Sequence, residues 1–218
     1  MATPIPNASP KEPVRLVHST EEPAAGPLAS DPGMLGLPSF IVGAVAIGLV
    51  AIGVLPNAPT TAALPILLAA ASIGLFLATV WSAVTRQSAA AGIYGIFGGF
   101  YLSYAVLELG LIHGWFGIAP VSFVDTEKVF LISWLVIVTM LVLATLRMPT
   151  IFTLLFALID AALLLNLLSI IQTSSNLSKA AGWVVMAASA VVVYLFFSSA
   201  SHATGGKELP LGPPILHA

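Results

Sequence analysis

The chain of 218 residues contains no cysteine, and only 7% of its residues are charged. The absence of cysteine excludes a disulfide framework, thiolate metal sites and thiol catalysis. A soluble domain carries about 25% charged residues, so this chain lacks the solvated surface of an ordinary cytosolic enzyme. The formal net charge is −2, and no basic field that would bind nucleic acid is expected.

The chain is rich in apolar residues. They make up 58% of the chain, and the mean hydropathy is +1.04. A helix needs about 20 apolar residues to cross the hydrocarbon core of a bilayer, and six runs approach that length. We therefore predict an all-α, multi-pass protein of the cell membrane with six transmembrane helices. The predicted spans are residues 40–55, 62–84, 91–112, 129–146, 151–171 and 181–199.

The two ends of the chain differ from the middle. Residues 1–36 hold seven of the sixteen prolines and six of the sixteen charged residues, a composition typical of a flexible segment. The residues from Ser201 onward combine Gly205, Gly206 and three prolines. We predict a flexible cytoplasmic tail over residues 1–36 with a helix-entry motif at its end. A transmembrane domain over 37–200 and a cytoplasmic tail over 201–218 follow.

Basic residues predict the orientation. With both termini inside, five basic residues lie on the cytoplasmic side, and only Lys128 and Lys179 lie outside. Cytoplasmic loops carry the excess of Lys and Arg in membrane proteins, so both termini are predicted to be cytoplasmic. The five inner residues are Lys11, Arg15, Arg86, Arg147 and Lys207.

Few ionisable residues lie within the spans. Glu108 and Asp160 are the two acids there, and His113 ends the third span. No metal-ligand pair or string of carboxylates occurs, so neither a metal nor a redox cofactor is expected. For Asp160, a structural hydrogen-bonded acid and a proton-coupling acid both remain open.

The third span carries an aromatic stripe. Its members and Glu108 are spaced by 3, 4, 3 and 4 residues, which places them on one helix face. The stripe either packs against neighbouring helices or lines a solute path. It consists of Tyr94, Phe97, Tyr101, Tyr104 and Glu108.

The entry to the first span resembles a known signature. Residues 30–40 are similar to the Asn-Pro-Ala-Pro-Leu-Gly-Leu motif of the acetate uptake transporter family, the succinate–acetate permease group. Further similarities run in order as far as residue 213, including Phe97 to Leu102 in the third span and Ala181-Gly182-Trp183 in the sixth. Asp31 stands where the signature has Asn, and the matching residues are Pro32, Leu35, Gly36 and Leu37.

This resemblance implies six helices around a pore in each protomer, usually assembled as a homo-hexamer in membrane lipid. Members conduct acetate and related small monocarboxylates, with proton coupling in some. By position, the resemblance implies an apolar constriction at Phe40, Phe97 and Leu155. The substrate path would then include Tyr94, Tyr101, Tyr104, Glu108 and Asn166.

Departures from the family pattern leave alternatives open. Phe97 stands where the family constriction has a tyrosine, and Glu108 stands at an apolar position. An ionised Glu108 at the outer mouth would repel acetate, so uptake is expected to rise as pH falls. A channel for neutral solutes such as acetic acid, urea or amides is one alternative, and a non-transporting membrane scaffold is another. No nucleophile–base pair, metal set or phosphate loop points to an enzyme.

Overall fold

The computed structural model describes residues 31–55, 57 and 59–216. Six helices in this part of the chain are long and apolar enough to cross a membrane, which confirms the predicted all-α membrane fold. Residues 1–30 of the predicted tail lie outside the described residues. The α-helices are α1 Gly33–Ile52, α2 Ser72–Val84, α3 Ser88–His113, α4 Phe123–Ala144, α5 Thr150–Gln172 and α6 Ser175–Ala203. The second membrane-crossing helix, Thr61–Val84, includes the turns that precede α2.

The six helices form a closed ring in chain order. Helix α1 packs against α2, α2 against α3, α4 against α5 and α5 against α6, as short connections favour, and α1 packs against α6 to close the ring. The contact between α3 and α4 is made by aromatic side chains, among them Phe100 and Trp134, whose ring centroids are 5.3 Å apart. The ring of helices therefore encloses a central space.

The first helix begins seven residues before the predicted apolar run. The Gly33 N–H donates to Asp31 Oδ1 at 2.8 Å, and Pro32 already has helical backbone angles. An acidic cap followed by proline at the first helical position is a favoured helix start. Residues 33–36, assigned from sequence to the tail, are thus helical.

The fourth helix also begins earlier than hydropathy indicates. The sequence places Asp125, Glu127 and Lys128 in a loop, but α4 starts at Phe123 and includes all three. Lys128 Nζ lies 2.9 Å from Asp125 Oδ1, one turn away. Hydropathy reports the apolar thickness of a span, whereas a helix continues into the polar region wherever its polar side chains find partners.

A π-helical turn precedes α2. It covers Ile66–Ala71 and directly follows Pro65. Ser72 Oγ donates to the Leu67 carbonyl at 2.5 Å, and Ser72 is buried. A π turn adds a residue to one helical turn and so rotates the residues beyond it about the helix axis. Beyond this turn, α2 meets α1 so closely that a Cβ on Gly74 would overlap the Ser39 hydroxyl.

Residues 204–216, the C-terminal segment, fold back on the start of α5. The Ile151 N–H donates to the Leu211 carbonyl at 3.3 Å, and the Thr150 N–H donates to the Pro213 carbonyl at 3.2 Å. The Tyr194 hydroxyl of α6 donates to the Pro210 carbonyl at 2.9 Å. The segment assigned from sequence to a tail therefore caps the free amides of a helix start.

Candidate functional site

Two cavities lie inside the ring of helices, and they share two aromatic residues. The termini-side cavity, of about 490 Å³, is lined by both Asp31 and Glu208. The far-side cavity, of about 360 Å³, lies beyond it. Phe40 of α1 and Phe97 of α3 line both cavities. Since Asp31 and Glu208 line one cavity, the two ends of the described chain lie on the same side of the membrane domain.

The rings of Phe40 and Phe97 meet edge to face where the cavities join. Their centroids are 5.0 Å apart at an interplanar angle of 87°, the geometry that aromatic quadrupoles favour. Leu155 of α5, the third residue of the predicted constriction, lines the termini-side cavity. All three side chains are buried, so none of them faces lipid.

Phe156 joins this group, although the sequence did not single it out. It is buried, lines the termini-side cavity and stacks on Phe97 with centroids 5.9 Å apart and an interplanar angle of 8°. Adjacent helical residues point about 100° apart, so a position for Leu155 at the constriction does not by itself predict that Phe156 contacts Phe97. The signal that could have found Phe156 is a large aromatic residue one turn after Phe152 in the first half of α5.

The packing of α1 on α3 follows a seven-residue repeat. A Cβ on Gly36 would lie 2.5 Å from the Tyr94 ring, and a Cβ on Gly43 would lie 2.7 Å from the Tyr101 ring. Two glycines of α1 thus receive two tyrosines of α3, and Phe40 meets Phe97 between them. The signature residue Gly36 is explained by this contact, because any larger side chain would displace the Tyr94 ring.

The predicted path residues divide between the two cavities. Tyr94 lines the termini-side cavity, whereas Tyr101, Tyr104 and Asn166 line the far-side cavity. The Tyr101 hydroxyl is already engaged, since it donates to the Phe40 carbonyl at 3.0 Å. Tyr104 and Asn166 therefore carry the predicted path's polar groups in the far-side cavity.

Of the signature residues, Asp31 and Leu37 line the termini-side cavity. Pro32 and Gly36 are buried, and Leu35 is half-buried. Besides Tyr94, the polar residues that line this cavity come from four parts of the chain. They are Asp31, Gln87, Ser88, Ser198, Ser199, His202 and Glu208.

Glu108 is half-buried and is not among the residues that line either cavity. It lies close enough to Glu127 of α4 for their charges to interact. Its role in a pH response therefore stays a prediction. Asp160 is also half-buried, and it accepts a hydrogen bond from Thr139 Oγ1 at 2.9 Å. This bond ties α4 to α5 and favours the structural role for Asp160.

An aromatic cluster closes the seam between α3 and α4. Phe100 contacts both Phe130 and Trp134, with ring centroids 5.8 Å and 5.3 Å away. Tyr104 stacks on Phe100 at 6.2 Å. Phe100 and Tyr104 also line the far-side cavity, so the cluster forms the wall between that cavity and the outer surface of the ring.

Charge is sparse along both cavities. Among the described residues that line them, there is neither a lysine nor an arginine, and the far-side lining includes no ionisable acid. His202 Nδ1 lies 3.8 Å from Glu208 Oε1 at the termini-side mouth. A solute therefore meets the carboxylates of Asp31 and Glu208 in the termini-side lining and, between the cavities, apolar surface with a few neutral hydrogen-bonding groups.

Comparison with known proteins identifies the group to which this architecture belongs. Residues 18–206 match the GPR1/FUN34/yaaH family. The chain belongs to this family. The family membership predicted from the signature and its accompanying motifs is thereby confirmed. In fold, this GPR1/FUN34/yaaH member is similar to the bacterial acetate channel SatP, with a TM-score of 0.73 and 18% identity over 84% of this chain and 99% of that chain. No curated protein matches the chain in sequence.

Proposed function

We propose that the chain conducts acetate and related small monocarboxylates across the cell membrane through the interior of each protomer. The observation that carries this proposal is the Phe40–Phe97 ring pair, which lines both cavities. Membership of the family and the fold shared with an acetate channel support it. A conducting role, rather than catalysis, is consistent with the apolar lining.

The ring pair provides a physical basis for selection. An apolar constriction excludes hydrated ions, because no polar group there replaces their water, yet a small molecule that sheds water can pass. Phe40, Phe97, Leu155 and Phe156 would form this barrier. Tyr94 on one side, and Tyr104 with Asn166 on the other, offer hydrogen bonds to a solute that has given up part of its hydration.

Neutral solutes are a second candidate class, and a specific observation favours them. Neither cavity is lined by a described lysine or arginine, so an anion would be desolvated without a compensating positive charge, which is unfavourable. Acetic acid, urea and amides do not meet this penalty. A scaffold that only packs its aromatic residues would not require two cavities of about 490 Å³ and 360 Å³.

The experiment is a flux assay in proteoliposomes with labelled acetate and labelled urea. Acetate flux well above that of protein-free vesicles is the expected result. Urea flux alone would favour the neutral-solute channel. Flux of both solutes at the protein-free level would contradict transport and leave the scaffold.

We also propose that protomers assemble as a homo-hexamer, as the family resemblance implies. Light scattering of the detergent-solubilised protein should then give a protein mass of about six chains of 22.5 kDa. A protein mass of one chain would contradict this proposal.

A further inference from the structure

Asp31 is exposed and places its carboxylate in the lining of the termini-side cavity. One oxygen, Oδ1, accepts the Gly33 N–H at 2.8 Å, and the side chain lines the cavity. No hydrogen bond occupies Oδ2 among the described residues. A carboxylate accepts hydrogen bonds and has none to donate, so whatever binds this oxygen must supply the donor.

Tyr94 lies in the same cavity and offers the opposite group. Its side chain is only 9% exposed, and its ring is held against Gly36 of α1. No described residue accepts a hydrogen bond from its hydroxyl. Tyr94 and Asp31 are close enough to interact electrostatically. The cavity therefore presents one free acceptor and one free donor, fixed on α3 and at the start of α1.

We propose that Asp31 and Tyr94 form a selectivity site for small neutral solutes that carry an N–H or O–H donor beside a carbonyl. Primary amides, urea and protonated carboxylic acids have this chemistry. The solute donates to the Asp31 carboxylate and accepts from the Tyr94 hydroxyl. An acetate ion has no proton to donate and carries the same charge as Asp31, so this site disfavours it. The inference rests on the proposed conduction function and names the form of solute preferred.

No described lysine or arginine lines this cavity to balance the negative charge of the Asp31 carboxylate. Glu208 adds a second carboxylate, and His202 lies against it at 3.8 Å. Arg86 and Arg147 are exposed beside the same membrane end but do not line the cavity, and the same holds for Lys207 in the C-terminal segment. Asp31 and Glu208 are exposed as well, so solvent and salt screen all of these charges. Asp31 differs from the basic residues in that it lines the cavity.

The test compares acetamide with acetate, which have nearly the same size and shape. Fluxes of both are measured in proteoliposomes at about pH 8, where free histidine is neutral and almost all acetate is ionised. Acetamide flux should exceed acetate flux through the wild-type protein. Asp31→Asn should lower the acetamide-to-acetate flux ratio about tenfold or more, because a charge-assisted hydrogen bond is lost and the new amide can donate to an anion.

Three further variants, together with Asp31→Asn, make the result specific. Asparagine and serine both cap helices well, so Asp31→Asn and Asp31→Ser keep the start of α1, and both should lose the acetamide preference. Tyr94→Phe should slow acetamide, because the donor to its carbonyl is gone. Asp125→Asn removes an exposed acid at the opposite end of the domain and should leave the ratio unchanged.

The outcomes separate this inference from the conduction proposal. A ratio unchanged in both Asp31 variants, with acetate still conducted, would overturn the selectivity site and leave the conduction proposal standing. Acetate flux greater than acetamide flux in the wild-type protein would overturn the site in the same way. Flux of both solutes at the protein-free level would overturn both proposals.

Discussion

At the scale of single residues, the ring of Phe97 makes two of the contacts that form the proposed constriction. It meets Phe40 edge to face on one side and stacks on Phe156 on the other. A ring fixed by two others has little freedom to swing aside, since aromatic pairs add about 0.5–1.5 kcal/mol each beyond their buried area. Phe97 is therefore the residue whose removal should widen the passage most.

Phe97→Ala is expected to raise the flux of acetate and urea, because it joins the two cavities directly. The same change should lower the free energy of unfolding by about 3–5 kcal/mol, as loss of a buried ring does. Radiotracer flux and thermal unfolding in detergent measure the two effects. Phe197→Ala is the matched control, because Phe197 is 62% exposed on the outside of α6. Flux through Phe97→Ala equal to that of the wild-type protein would remove the ring pair from the barrier.

The second residue-scale prediction concerns Gly36. Gly36→Ala places a Cβ 2.5 Å from the Tyr94 ring, and overpacking of this kind destabilises by about 1–3 kcal/mol. Gly92→Ala is the control, since a Cβ there meets nothing within 4 Å and alanine favours a helix over glycine by about 1 kcal/mol. Thermal unfolding should therefore shift down for Gly36→Ala and up for Gly92→Ala. Equal shifts would contradict the close contact between α1 and α3.

Residue positions were predictable where the sequence carried a pattern over several turns. The seven-residue spacing of Tyr94 and Tyr101 is visible in the sequence, and both line the interior. Glu108 is eleven residues beyond Phe97, and the idealised rotation of about 100° per residue placed it on the same face. It does not line either cavity, because α3 there borders α4 and the charge of Glu127.

At the scale of elements, the C-terminal segment is bonded to the membrane domain at several points. Its carbonyls accept the amides of Thr150 and Ile151, and the Ser198 hydroxyl accepts the Leu209 N–H at 2.9 Å. Leu211 and Glu208 also line the termini-side cavity. The segment is therefore part of the wall of the mouth.

Tyr194→Phe is expected to loosen the C-terminal segment, because it removes the hydroxyl that donates to Pro210. The loss corresponds to about 1 kcal/mol, and it should speed hydrogen exchange at the Thr150 and Ile151 amides several-fold. Thr204→Val is the control, since the Thr204 hydroxyl donates only to carbonyls of its own helix end among the described residues. Exchange unchanged in Tyr194→Phe would show that the segment is held by its other contacts alone.

Six spans could be predicted because each needs a long apolar run. The start of α1 was indicated by the helix-entry motif, in which Asp31 caps the helix. The start of α4 at Phe123 could not be predicted, since its first turns contain Asp125, Glu127 and Lys128, which lower the hydropathy. The docking of residues 204–216 depends on carbonyls that meet the start of α5, a long-range contact that local composition does not report.

At the scale of the whole molecule, both ends of the described chain lie on one side, and the basic residues favour the cytoplasm for that side. The absence of cysteine allows a clean test with single cysteines and a membrane-impermeant maleimide. Thr204→Cys should react only from the cytoplasmic side. Val121→Cys, at a position that is 88% exposed between α3 and α4, should react in intact cells. The reverse pattern would invert the orientation.

The two glycine–tyrosine contacts between α1 and α3 also restrict how a passage can open. The Tyr94 and Tyr101 rings pack directly over Gly36 and Gly43. The Tyr101 hydroxyl donates to the Phe40 carbonyl, which fixes the position of α1 along α3. If α1 slid along α3, the two glycines would leave their places beneath the rings, and larger residues on the same face, such as Phe40, would approach a ring. Translation of α1 is thus mechanically blocked. Because Phe40 and Phe156 hold the Phe97 ring, we expect a passage to open by a swing of α5, which would carry Leu155 and Phe156 away from a stationary pair of helices.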